Sequence, residues 1–174
     1  GEEKVTDMRD FKELNAIAEY PVRGFSTRKI RKEIAEFYEC RVSYDEEGEV
    51  DTHYYPYHND DNKLVGYKVR QLPKKFWAVG KIQGLFGRAQ FNKGGKRVVV
   101  TEGEIDCLTV AQASHNYYTK SGKSGVFYPV VSLPKGAGSK KDIIANREWL
   151  RSFDEVILCY DQDEPGREAA KDHA

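Results

Sequence analysis

Three carboxylates stand where this chain could do chemistry. Glu102 follows the β-branched run Val98–Thr101, and Asp161 and Asp163 follow the apolar run Val156–Tyr160. Short runs of this kind read as buried strands. In an open α/β sheet, ligands bind beyond the carboxyl ends of the strands. Two parallel strands ending in these acids would gather Glu102, Asp161 and Asp163 into one small volume. Carboxylates held that close repel, so one takes up a proton or a cation compensates them. Hard oxygen donors suit Mg2+ or Mn2+, and no His or Cys pair has the spacing of a zinc site. The plainer reading of each acid is a helix N-cap after a strand.

The elements that would position these acids alternate. Strand patterns at 97–101, 129–133 and 155–160 are separated by helical patterns at 105–113, 142–152 and 165–174. Alternation of this kind means parallel strands with crossover helices, an α/β unit with a mainly parallel sheet. Within it, 115–127 reads as a polar insertion and a mobile loop. Its Lys-Ser-Gly-Lys-Ser-Gly string lacks the GxxxxGK[ST] spacing of a phosphate loop. Residues 132–136 follow the middle strand and could border the site. Residues 80–95 are glycine-punctuated and read as a connection.

Upstream, the pattern is α+β. Residues 1–20 are polar and read as poorly ordered at first. Thr27–Phe37 carries Ile30, Ile34 and Phe37 at helical spacing behind Ser26, a candidate N-cap. Its bases Arg28, Lys29, Arg31 and Lys32 read as a solvated face. Residues 40–71 read as antiparallel strands with turns at 46–49 and 59–62. Tyr54, Tyr55 and Tyr57 are half-buried sheet packing on this reading, with base stacking as the alternative. His53 and His58 read as polar surface residues.

The net charge is +0, which implies no global attraction to nucleic acid. The distribution is uneven. Ten bases and no acid occur between Lys63 and Arg97, whereas eight acids and one base, Arg41, occur between Glu39 and Asp61. The basic span is a candidate phosphate-binding face. Lys68 and Arg70 alternate on a strand and share a side of it. Cys40, Cys107 and Cys159 are far apart in sequence, which fits free buried thiols in a reducing, intracellular location. No run of about 18 apolar residues exists, so a membrane partner is not expected. The expected organisation is a lead-in over 1–22, a basic subdomain over 23–95 and the α/β subdomain over 96–174. Gly1 reads as a cloning scar, and the last subdomain reads as cut short at its C-terminal end.

Thr101-Glu102-Gly103-Glu104-Ile105-Asp106 and Tyr160-Asp161-Gln162-Asp163-Glu164-Pro165-Gly166 resemble the Toprim signature, an EG at one strand end and a hydrophobic-DxDxxG at another. DnaG-type primases, topoisomerases and some nucleases share that fold. The longer strings VVVTEGEIDCLTV and ILCYDQDEPGR are similar to the primase half of bacteriophage primase-helicases, relatives of the mitochondrial replicative helicase. So are Pro129–Leu133 with Gly136-Ala137, Arg23–Ser26 and Gly66–Arg70. The resemblance covers about residues 20–174.

It implies a DNA primase, a nucleotidyltransferase that makes short RNA primers from ribonucleoside triphosphates on a single-stranded DNA template. It implies Mg2+ or Mn2+ on Asp161 and Asp163, with Glu102 catalytic as a ligand or as a general base. It implies phosphate or template binding by Lys68, itself a catalytic candidate, and by Lys74, with Arg70 and Lys75 as further binding candidates. Glu104 and Asp106 are supporting acids or N-terminal acids favoured by the helix dipole. A helicase domain in the parent chain and a DNA polymerase are the implied partners, in the cytoplasm of a phage-infected bacterium or in a mitochondrion. Phage primases of this kind carry a zinc module that reads the template. Three scattered cysteines cannot build one, so little template-sequence preference is expected of residues 1–174. The competing readings are phosphodiester cleavage and a DNA-binding module without synthesis.

Overall fold

The computed structural model describes residues 2–91 and 94–174, with residues 2–7 described by backbone alone. Gly1 and Lys93, the latter one of the ten bases of the basic span, lie outside the described residues. The chain divides into two compact units, one up to Gln83 and one from Gly84.

The first unit is α+β. It contains α1 (Glu2–Ala18), α2 (Lys32–Phe37), β1 (Arg41–Tyr44), β2 (Val50–His58), β3 (Leu64–Gln71) and β4 (Lys75–Gly80). The strands form an antiparallel meander in the order β1-β2-β3-β4. Its first two turns are closed by side-chain bonds added to backbone ones. Asp45 Oδ1 accepts from the N–H groups of Glu47 and Glu49 at 2.9 Å each. Asn59 Oδ1 accepts from those of Asp61 and Lys63 at 3.0 Å each.

Alternation sends Tyr67, Val69 and Val79 to one face, where they pack with Leu14 and Ile17 of α1. The polar lead-in is therefore helical from Glu2 on. Among the described side chains of this helix, Leu14 and Ile17 are the buried apolar residues, which leaves little periodic signal in the sequence. The opposite face carries His53 and Tyr55. His53 is not a surface residue: it is 2% exposed and stacked on Phe25, with ring centroids 3.9 Å apart. Tyr55 and Tyr57 are buried as sheet packing.

The helix expected over 27–37 is broken. Ser26–Arg28 is a 3-10 turn without a side-chain cap, Lys29 is left-handed at φ 55°, and α2 starts at Lys32. Phe25 and Ile30 instead exchange backbone hydrogen bonds at 2.8 and 3.1 Å. Gly24 makes room for this bridge, since a Cβ there would lie 2.4 Å from Ile30 O.

The second unit is α/β. It contains β5 (Arg97–Thr101), α3 (Glu104–Lys120), β6 (Val130–Ser132), α4 (Lys140–Ala145), α5 (Arg147–Arg151), β7 (Glu155–Cys159) and α6 (Glu164–His173). The three strands are parallel in the order β6-β5-β7. Central β5 buries Val98, Val99 and Val100, as a parallel strand covered on both faces must. Residues 84–91 belong with this unit: Leu85 enters its core, and Phe86 bridges to Ser132.

Three expectations change here. First, β7 is not buried. Among the described residues it has a strand neighbour on one side, so Val156, Ile157 and Cys159 are exposed. Second, α3 runs seven residues past Ala113 into the stretch read as a mobile loop. Buried His115, stacked on Phe127 with centroids 4.5 Å apart, anchors that extension. Third, the helix expected over 142–152 is split at Asn146. Its backbone N–H and its Nδ2 both donate to Asp142 O, at 3.1 and 2.7 Å, and α5 starts afresh at Arg147. No helix among the described residues is long and apolar enough to cross a membrane.

Candidate active site

The register aligns Thr101 with Ser132 on one side and with Cys159 on the other. The segments after β5 and β7 therefore leave the sheet next to one another. Asp161 donates its backbone N–H to Glu102 Oε1 at 2.7 Å. Behind them, the Thr101 hydroxyl donates to Gly103 O at 3.0 Å. Gly103 is extended, and α3 begins at the next residue.

Asp163 fulfils the plain expectation as well. It is the N-cap of α6, and its Oδ1 accepts from the Gly166 N–H at 2.7 Å. Gly166 is buried for a specific reason. A Cβ there would lie 2.2 Å from Asp161 O, 2.7 Å from Glu102 Oε1 and 2.8 Å from Asp163 Oδ1. The glycine of DxDxxG is thus the floor on which the acids close. The loop after β6 turns at Gly136, left-handed at φ +55°. A Cβ there would stand 4.0 Å from Glu102 Oε2. Of residues 132–136, Gly136 stands beside Glu102.

Partial burial pushes the Glu102 carboxyl above the usual carboxylate range. The Asp161 N–H opposes this, and the charges of Asp161, Asp163 and Asp106 reinforce it. Asp106 thus acts on Glu102 electrostatically. Burial and the Glu102 charge also raise the Tyr160 phenol. Asp161 and Asp163 are exposed. Among the described residues, no Lys or Arg forms an ion pair with Glu102, Asp161 or Asp163. Among the same residues, no group of three or more Asp, Glu, His or Cys side chains is arranged so that it could hold a metal ion as it stands.

The basic candidates are divided by strand alternation. Lys68 and Arg70 share one face of the first unit's sheet with Phe76, whose register partner is Arg70. The Arg70 guanidinium stands 5.6 Å from the Phe76 ring centroid, and its Nε is buried with no hydrogen-bond partner among the described residues. Lys75 points to the other face, its Nζ 5.6 Å from the Trp77 centroid. Lys74 lies in the turn between β3 and β4 and is exposed. Phe76, an aromatic just after the basic turn, has no role in the sequence-based expectation.

A family model described as Toprim-like matches residues 99–174. Over 121 residues, the chain is 39% identical to the DNA helicase/primase of Enterobacteria phage T3, an alignment spanning 68% of this chain and 19% of that protein. It is 33% identical over 90 residues to the DNA primase of Haemophilus influenzae, spanning 52% of this chain and 13% of that one. The crystal structure of the primase fragment of the bacteriophage T7 primase-helicase superposes with a TM-score of 0.74 at 35% identity. That match covers 88% of this chain and 60% of the fragment. Primase domains in a structure with the T7 lagging-strand DNA polymerase give a TM-score of 0.72 at 35% identity, covering 73% of that chain. The chain belongs to the Toprim-type DNA primases, in the group that includes the primase parts of phage primase-helicases. It spans less than a fifth of the length of either curated relative.

Proposed function

We propose that this chain joins ribonucleotides into short primers on single-stranded DNA, as part of a primase-helicase. The observation that carries the reading is the Glu102 carboxylate held by the Asp161 N–H, beside Asp163, at the adjoining ends of β5 and β7. The donor chemistry suits a divalent cation: it is all carboxylate oxygen, mutually repelling, with no cationic side chain paired to it among the described residues. Asp161 and Asp163 would hold Mg2+ or Mn2+ together with Glu102. Such an ion supplies a lowered pKa for the attacking 3′-hydroxyl and compensation for the charge developing on the α-phosphate.

Glu102 is oriented through Oε1 and has Oε2 left to bind the ion or accept the hydroxyl proton. Lys68, Arg70 and Lys74 offer positive charge to phosphates, with Lys75 as a contributor on the other face. The partners on this reading are template DNA, ribonucleoside triphosphates, a helicase domain of the parent chain and a DNA polymerase, in the cytoplasm of an infected bacterium.

The test is incorporation of labelled ribonucleotides on single-stranded DNA with and without Mg2+. Oligoribonucleotides should form only with the metal. Glu102→Gln, which can still accept from the Asp161 N–H, should reduce joining by about a hundredfold or more at an undiminished melting temperature. Metal-dependent nicking of supercoiled DNA without incorporation would replace synthesis by phosphodiester cleavage.

A further inference from the structure

β4 is the edge of the first sheet, and Phe76 on it is 59% exposed. A single exposed aromatic is ordinary on a protein surface. This one has company. The Arg70 guanidinium lies over its ring at 5.6 Å, and Lys68 stands two residues along β3 on the same face. No acid occurs anywhere between Lys63 and Arg97. An aromatic ring beside cations at strand spacing matches the two alternating chemistries of a single nucleic-acid strand, planar bases and phosphates. An acidic peptide would answer the cations but leave the ring without a planar partner.

We infer that Phe76 is a base-stacking platform for single-stranded DNA, with Arg70 and Lys68 beside it for the flanking phosphates. The inference rests on the primase reading only in naming that strand as template. Trp77 supplies an internal control. It follows Phe76 directly, is 39% exposed and has Lys75 Nζ 5.6 Å from its ring, but it lies on the opposite face, the side of Val69 and Val79.

The test is fluorescence anisotropy of the whole chain with two labelled oligodeoxynucleotides of equal length, one of mixed sequence and one abasic. Buffer contains EDTA and no ribonucleotides. Phe76→Ala should weaken binding to the mixed-sequence strand about tenfold or more and leave binding to the abasic strand unchanged. Phe76→Trp should restore it, and Trp77→Leu should change neither. Unchanged binding by Phe76→Ala, equal losses on both strands, or no binding by the unsubstituted chain would each overturn the inference. No joining step is involved. Failed primer synthesis with intact base-dependent binding would therefore reject the primase reading and leave the platform standing.

Discussion

The two units place their charged side chains by different geometry. In the parallel sheet, the acids stand at strand ends, where backbone groups hold them: the Asp161 N–H on Glu102, the Gly166 N–H on Asp163. In the antiparallel meander, the bases stand on strand faces, and alternation alone decides which share a side. A slip of one residue would send Lys68 and Arg70 to the face now held by Val69 and Tyr67. The candidate site at the strand ends is thus sensitive to local backbone volume. The candidate face of the meander is sensitive to register and to what is packed beneath it.

Volume is the first place to break this comparison. Gly166→Ala puts a methyl group inside contact distance of the Glu102 and Asp163 carboxylates and of the Asp161 carbonyl. Thermal or urea melts should show a loss of about 1–3 kcal/mol, and Mn2+ affinity should fall with it. An alanine variant of full stability and metal affinity would mean that the acids do not close on that floor.

Packing under the basic face comes next. Burial, and then the Arg70 charge, hold the His53 imidazole down to about 4 from an ordinary 6.5. Between those values the unfolded chain binds more protons than the folded one. Stability of the first unit should therefore fall as pH drops from about 6.5 towards about 4. The expected loss is up to about 2 kcal/mol. His53→Phe can keep the ring stacked on Phe25 and should flatten that slope. Urea melts at pH 7 and pH 4.5 read it directly. An unchanged slope in the variant would assign the acid sensitivity to other groups.

The smallest effect tests alternation. Lys68→Ala should lower the salt dependence of single-strand binding by about 0.7 in the slope of log K against log salt, one phosphate contact. Lys75→Ala, on the opposite face, should lower it less. Equal changes would show that the strand wraps the β4 edge and touches both faces.

Much of this protein was legible without its fold. Val98–Thr101 and Val156–Tyr160 announced strands, and the acids after them a candidate site, because a parallel strand is apolar throughout and its polar work is left to its end. The turns at 46–49 and 59–62 were equally plain, since Asp45 and Asn59 build them from their own side chains. Tertiary structure decided the rest. Whether β7 is covered depends on how many strands flank it, which its own residues do not encode. The break in the 27–37 helix came from pairing between Phe25 and Ile30, and the burial of His53 from the ring of Phe25 laid against it. The role of Gly166 is of the same kind. Its spacing was in the motif, but the reason for it, three oxygens closing within 2.8 Å of an absent Cβ, exists only once β5, β7 and α6 meet.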